Sequence, residues 1–185
     1  MTNLKNFCSK NGYDPASITG QMFFLQSELN SGYSSMVNKF LTRGLSFGSK
    51  GKQFNAAVAC GIMANIEKES SFNPTASGDN GTSYGLCQWH DTKPNKGRMT
   101  NMKNFCKNNN YSYSTITGQM MYLQKELYDS YNKNVLQPIL NVSNTESGAM
   151  EAARIWCTKF EIPANKEQRA VERAEAAKMF WAKYG

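Results

Sequence analysis

The clearest pattern of apolar positions lies between Phe54 and Ser71, which reads FNAAVACGIMANIEKESS. Val58, Ile62 and Ile66 recur at helical spacing in a stretch rich in alanine, so the pattern predicts a buried helix. Pro74 limits its length, because the residue before a proline avoids the α region. We therefore expect a long buried helix that ends close to residue 71.

Glu69 follows Ile66 by three residues, which places it on the same core-facing side of this helix. Glu67 lies about 200° around the helix from Glu69 and is expected to face water. A carboxyl at the edge of the core loses water on its apolar side, and this favours its protonated form. That form is the one a general acid must hold at neutral pH.

The chain also contains a duplication. Residues 3–29 and 101–127 are identical at 16 of 27 positions, at an offset of 98 residues. Each copy predicts two helices around a polar turn, and the second helix of the later copy is expected to begin at Thr117-Gly118-Gln119. We expect one compact domain over 1–185, with a catalytic segment over about 38–185 and with 1–37 as a partial repeat of 99–135.

The segment between Thr75 and Asp91, TASGDNGTSYGLCQWHD, has a different character. Asp79-Asn80-Gly81 is a turn signal and predicts a short β-hairpin. Aromatic rings beside amide side chains suit sugar binding, since the rings stack on pyranose faces and the amides bond hydroxyls. Further along, 165–184 predicts a charged helix that packs through an alanine-rich side.

Two motifs in this region carry a family resemblance. Asn65–Pro74, NIEKESSFNP, resembles the Glu-Ser-x-Phe-Asn-Pro signature of lytic transglycosylases and phage tail lysozymes, and Ser83–Trp89, SYGLCQW, resembles the Gly-Leu-x-Gln that follows it. The span from about Asn38 to the end resembles a phage tail lysozyme domain. The resemblance implies a mostly α, α+β lysozyme-like fold, a helical bundle around a long buried helix with a small β-hairpin beside the active-site cleft.

The resemblance also implies site residues. Glu69 matches the catalytic glutamate and Gln88 the glutamine that faces the sugar, while Asp79 matches an aspartate of goose-type lysozymes. Their second aspartate follows the glutamine directly, whereas Asp91 here comes one residue later, after His90. The catalytic residues we expect are Glu69, Asp79 and Asp91, and the substrate-binding residues are Ser70, Tyr84, Gln88, Trp89 and Tyr122.

Tyr122 and two further side chains, Trp156 and Glu161, are candidates for lining the groove. Glu161 belongs to a Lys-Phe-Glu-Ile-Pro segment that matches the family's terminal motif. Its carboxyl is alternatively a salt-bridge partner of Arg154 or Arg98.

The net charge and the cysteine content limit which binding partners and cofactors we expect. The net charge of +7 fits a bacterial wall and also DNA, but no nucleic-acid-binding motif accompanies it, so we expect peptidoglycan and no nucleic acid as the partner. Five cysteines without a C-x-x-C pattern argue against a zinc site and a disulfide framework, and favour reduced, buried thiols. We expect no metal, no cofactor and a monomer.

The chain has no apolar run near 18 residues and no Sec signal peptide at its N-terminus, so no membrane span is expected. We expect it in a phage virion, or in the host cytoplasm before release, acting on the bacterial cell wall.

The function that these features predict is that of a peptidoglycan muramidase, which cleaves the β-1,4 bond between N-acetylmuramic acid and N-acetylglucosamine by general acid catalysis. A lytic transglycosylase that gives anhydro-muropeptides is the alternative chemistry. A non-catalytic wall-binding or tail structural protein, a cysteine amidase using Cys87 and His90, and a nucleic-acid binder are rival classes.

Overall fold

The computed structural model describes residues 54–185, together with Lys10. Apart from Lys10, the first repeat copy therefore lies outside the described residues. The one-domain organisation expected for 1–185, with its partial repeat over 1–37, stays a prediction.

Helix α1 spans Ala56–Ser70 and is the centre of the described structure. The Asn55 side chain caps its start by accepting a hydrogen bond of 2.9 Å from the Val58 amide. Every residue from Ala57 to Ile66 is buried, so the helix is enclosed on all sides over most of its length. It ends at Ser71, which has a left-handed φ of 50°. The predicted buried helix is confirmed.

Two further helices enclose α1. They are α5, Glu146–Trp156, and α6, Lys166–Tyr184, and each packs against α1 and against the other. The α1–α5 contact is close because Gly61 faces Ala152 and Ala153 across it. The buried Asn65 amide joins the same pair of helices, donating to the carbonyls of Gly61 at 2.8 Å and Ala153 at 3.2 Å.

A small antiparallel sheet follows α1 in the order β1-β2-β3-β4. Its strands are Ser77–Gly78, Ser83–Tyr84, Trp89–Lys93 and Lys96–Gly97. A 3₁₀ turn over Asp79–Gly81 joins β1 to β2, and Gly78 pairs with Ser83. The predicted hairpin is confirmed, while β3 and β4 extend the sheet beyond what the turn signal predicted.

The second repeat copy forms two helices that pack on each other, α2 over Arg98–Asn108 and α3 over Ile116–Asp129. The hydroxyl of Thr115 caps α3 by accepting from the Gly118 amide at 3.2 Å. The cap is thus Thr115 and not Thr117, the start that the sequence predicted, because Thr115 has the extended backbone that a cap requires.

The remaining elements complete the chain between α3 and α6. They are a π-helical turn over Asn132–Leu136, the short helix α4 over Gln137–Leu140, and a second π-helical segment over Cys157–Glu161 that continues α5. The predicted mostly α fold with a small sheet is confirmed.

Two general features bear on function. Within the described part of the chain, no helix is long and apolar enough to cross a membrane. The four cysteines of that part are buried and free, namely Cys60, Cys87, Cys106 and Cys157.

The close α1–α5 contact gives a stability prediction. A Cβ at Gly61 would lie 2.7 Å from both the Ala152 Cβ and the Ala153 amide nitrogen. Gly61→Ala adds helix propensity of about 1 kcal/mol, but overpacking against backbone costs about 1–3 kcal/mol. We expect a net loss of about 1 kcal/mol in chemical denaturation, from the balance of these two terms. An unfolding free energy equal to or above that of the wild type would contradict the tight contact.

Candidate active site

Glu69 lies in the last turn of α1, at the point where the chain leaves the core. Its side chain is 22% exposed, and its Oε1 accepts a 2.7 Å hydrogen bond from Nη2 of Arg173 on α6. Arg173 is only 3% exposed, so it contacts the Glu69 carboxyl from the buried side. Glu67 is half-buried, so it is less solvated than the periodicity predicted.

A second carboxyl approaches the same arginine. Oε2 of Glu161 lies 3.7 Å from Nη2 of Arg173, and the Glu161 side chain is only 5% exposed. The expectation that Glu161 pairs with Arg154 or Arg98 was wrong. Arg154 is exposed, whereas Arg98 binds a different glutamate, and α6 brings Arg173 to this position instead.

The backbone around Glu161 fixes its place. The π-helical segment ends there because Ile162 adopts a left-handed φ of 52°, a costly conformation for a β-branched residue. The pKa of the Glu161 carboxyl is raised from 4.5 to about 8, mainly by burial and then by the negative charge of Glu69, while Arg173 opposes both. Glu161 is therefore protonated over most of the neutral range.

The Gly-Leu-x-Gln segment is fastened to the end of α1. The hydroxyl of Ser70 donates to the Leu86 carbonyl at 3.0 Å, and the Leu86 amide donates to Oε1 of Gln119 at 2.8 Å. Gly85 and Gln88 both have positive φ, of 81° and 43°. The Gln88 amide group folds back and donates to the Gly85 carbonyl at 2.9 Å.

The two candidate aspartates have different surroundings. Asp79 is at the hairpin tip with its side chain 68% exposed, 3.6 Å from Nδ1 of His90, and it accepts a 2.5 Å hydrogen bond from Ser83. Asp91 is 3% exposed and accepts from the amide and hydroxyl of Thr100 at 3.0 Å and 2.5 Å, which caps the start of α2.

Trp89 and Tyr122 lie inside the protein, at 0% and 5% exposure. Both donate to the buried carboxylate of Glu126, at 2.8 Å from the indole and 3.3 Å from the phenol. Arg98 completes this network with two hydrogen bonds to Glu126 of 2.8 Å and 2.9 Å and one of 3.2 Å to the Phe160 carbonyl. The predicted sugar contacts of Trp89 and Tyr122 stay predictions. In the structure both side chains lie in the core and bind the Glu126 carboxylate.

Tyr84 is the most accessible aromatic ring of the motif. It packs edge-to-face on Tyr113 with ring centroids 5.7 Å apart, and Nζ of Lys103 lies 5.0 Å from the Tyr84 centroid. Burial, with a smaller contribution from Tyr113, raises the pKa of the Tyr84 hydroxyl. This pair is a surface on which a sugar ring can stack.

The model of the phage tail lysozyme family matches residues 45–184. The chain belongs to the phage tail lysozyme family. The match covers the whole described fold and both motifs. No curated protein matches the chain.

Membership of the phage tail lysozyme family indicates a lysozyme-like function on peptidoglycan. The surroundings of Cys87 argue against the alternative function as a cysteine amidase. Cys87 is fully buried, and burial raises the pKa of its thiol well above the ordinary value, so it is a poor nucleophile. Among residues 54–185, no group of three or more His, Cys, Asp or Glu side chains is placed to hold a metal ion.

Two residues of this lysozyme family member were not predicted as parts of the site. Arg173 is 104 positions from Glu69, and nothing in the helical pattern marks it as the partner. Gln119 was read only as part of a helix start. Its amide nitrogen donates to the Pro74 and Tyr113 carbonyls at 2.6 Å and 2.7 Å, so it joins α3 to the chain on both sides of the hairpin. Its recurrence in both repeat copies was the only available signal.

The Gln119 contacts generate a prediction. Gln119→Ala removes three hydrogen bonds and leaves buried backbone groups unpaired, which costs about 1–3 kcal/mol for each unsatisfied group. We expect a loss of at least about 2 kcal/mol in the free energy of unfolding, measured by chemical denaturation. The half-buried Gln124 on the same helix provides the control, since Gln124→Ala leaves these bonds intact. Equal stability of the two variants would show that the three Gln119 hydrogen bonds do not stabilise the fold.

Proposed function

We propose that this protein is a muramidase that cleaves the β-1,4 bond between N-acetylmuramic acid and N-acetylglucosamine, with Glu69 as the general acid. Its partner is bacterial peptidoglycan, and it acts as a monomer in wall degradation by a phage or a phage-like element. Before release it resides in the virion or the host cytoplasm. The family supports the wall as the target, and the contact between the two motifs beside Glu69 supports the chemistry.

One observation carries the proposal. Ser70, the neighbour of Glu69, donates its hydroxyl to the Leu86 carbonyl at 3.0 Å. The Glu-Ser motif and the Gly-Leu-x-Gln motif are therefore physically joined, although 16 residues separate the two bonded positions. The carboxyl that would donate a proton lies at the junction between the helix and the loop that the family resemblance assigns to sugar contact.

In the proposed reaction, the protonated Glu69 carboxyl gives its proton to the glycosidic oxygen as the bond to the anomeric carbon breaks. Positive charge develops on the sugar ring, and a water molecule attacks the anomeric carbon. Gln88 and Tyr84 are proposed to hold the sugar, the first through its amide and the second through its ring. Ser70 positions the Gly-Leu-x-Gln segment through its hydrogen bond to the Leu86 carbonyl.

A second carboxylate is needed to direct the water in an inverting hydrolase. Asp79 fits this role better than Asp91. Both oxygens of Asp91 accept hydrogen bonds from Thr100, whereas the Asp79 side chain is exposed and accepts a hydrogen bond from Ser83. We therefore propose Asp79 as the base and Asp91 as the residue that anchors α2.

A lytic transglycosylase is the second candidate, because the Asp79 side chain contacts Ser83 and His90 within the sheet rather than Glu69. Without a base, a hydroxyl of the substrate attacks the anomeric carbon, and Glu69 serves as both acid and base. A wall-binding or tail structural protein that lacks activity is the rival from another class. Zymography on purified peptidoglycan distinguishes it, since a binder gives no cleared band.

The first prediction concerns the acid. Glu69→Gln keeps the shape of the side chain and removes the proton, so peptidoglycan clearing falls by about 10²–10⁴-fold. Glu67→Gln is the matched control, because it neutralises a carboxyl on the same helix two residues away, and it retains activity close to wild type. Circular dichroism checks that both variants fold. Wild-type clearing by the Glu69 variant would remove this residue from the mechanism.

The second prediction concerns the product. Mass spectrometry of released muropeptides distinguishes the two reactions, because a reducing end carries one water more than an anhydro end. A muramidase gives reducing ends, and Asp79→Asn lowers its rate by about 10²-fold or more. The control Asp91→Asn lowers stability and leaves the product unchanged. Anhydro products from the wild type, with Asp79→Asn fully active, would establish the transglycosylase.

A further inference from the structure

Two carboxyls approach one guanidinium in the core. Nη2 of Arg173 is 2.7 Å from Oε1 of Glu69 and 3.7 Å from Oε2 of Glu161. Arg173 and Glu161 are 3% and 5% exposed, whereas Glu69 reaches the surface at 22%. If both carboxyls were ionised, the cluster would carry one uncompensated negative charge, which is costly in a buried site. One added proton makes the cluster neutral.

The surroundings of Glu161 favour that proton. Neither carboxylate oxygen of Glu161 receives a hydrogen bond of normal geometry, although the indole nitrogen of Trp156 faces it and has no other partner. The charged groups around it are Glu69 and Arg173, and burial is the main cause of its raised pKa of about 8. The thiols of Cys87 and Cys157 lie close enough to feel its charge.

Two arginines complete the electrostatic surroundings. Arg98 acts on the Cys87 thiol together with Glu161, and Arg169 acts on the Cys157 thiol together with Glu161. Arg98 is committed to Glu126, so it does not pair with Glu161. Arg173 is thus the cation that decides between the two carboxyls.

The observed pairing creates a chemical conflict. An arginine at hydrogen-bond distance stabilises the ionised form of a carboxyl. The proposed function needs Glu69 as a proton donor, whereas in this structure its carboxyl accepts a hydrogen bond from Arg173. The neighbouring Glu161 approaches the same guanidinium and interacts electrostatically with Glu69, and it offers a resolution.

We propose that Glu161 is a positioning residue that shares one proton with Glu69 across Arg173, and that this proton makes Glu69 an acid. In the observed arrangement Glu161 holds the proton and Arg173 binds the Glu69 carboxylate. In the second arrangement the O–H bond of Glu161 breaks, an O–H bond forms on Glu69, and Arg173 moves onto Glu161. The number of protons and the net charge are the same in both. This inference rests on the proposed function of Glu69.

The first test is the pH profile of peptidoglycan clearing. Glu161→Gln keeps the size of the side chain but cannot accept the negative charge, so Arg173 stays on Glu69. The alkaline limb, which is the fall in activity at high pH, is expected to move to lower pH by about one unit or more. Activity at neutral pH then falls about tenfold and recovers in acid. Glu161→Asp can still ionise, so its alkaline limb is expected to lie between those of the wild type and Glu161→Gln.

The control is Glu126→Gln, which removes another buried carboxylate with an arginine partner. It is expected to lower stability without moving the limb. If Glu161 has a purely structural role, Glu161→Gln will behave like Glu126→Gln and lose activity at every pH without a shift of the alkaline limb. That result would overturn the proposal.

The second test does not need activity. Carbon-13 NMR of glutamate carboxyls follows the titration of Glu161 in the folded protein. Removing the charge of Glu69 and freeing Arg173 lowers the pKa of Glu161, so its transition moves to lower pH in Glu69→Gln and not in Glu126→Gln. An unmoved transition in the Glu69 variant refutes the shared proton. A moved transition in Glu69→Gln, combined with a wild-type protein that clears no peptidoglycan, supports the coupling and refutes the proposed function instead.

Discussion

Arg173 carries a positive charge that it cannot lose, and its side chain is almost completely buried. Such a charge must be paired inside the protein, and removing a partner of a buried pair costs about 3–5 kcal/mol. Glu69 and Glu161 meet this need from two different elements, the end of α1 and the end of the segment that continues α5. The guanidinium on α6 thus joins the three central helices at one point, and that point is the candidate active site.

The rest of the site is arranged around this junction. Ser70 and Gln119 hold the Leu86 backbone from two sides, so the loop that follows the hairpin is fixed relative to the acid. Below it, Arg98 and Glu126 form a second buried ion pair that carries hydrogen bonds from the neighbouring rings. Polar groups on rigid elements keep a catalytic carboxyl within the small tolerances that proton transfer requires.

Local patterns in the sequence predicted much of this fold. Helical spacing identified α1 and placed Glu69 on its inner side, and the turn signal at Asp79 located the hairpin, because both depend on neighbouring residues. Long-range polar contacts were not predictable in this way. No periodicity links Glu69 to Arg173, the commitment of Asp91 to a helix cap depends on where β3 ends beside α2, and the bonds of Gln119 depend on the path of three separate segments.

The central claim is that the Glu69 carboxyl meets the scissile bond. A crystal structure of the Glu69→Gln variant with a peptidoglycan tetrasaccharide tests it most directly, because the variant binds without turnover. The account predicts that the side-chain amide of residue 69 lies about 3 Å from the glycosidic oxygen between two sugars, with Tyr84 and Gln88 against the glycan. A tetrasaccharide bound away from residue 69, with its glycosidic oxygens facing other side chains, would contradict it.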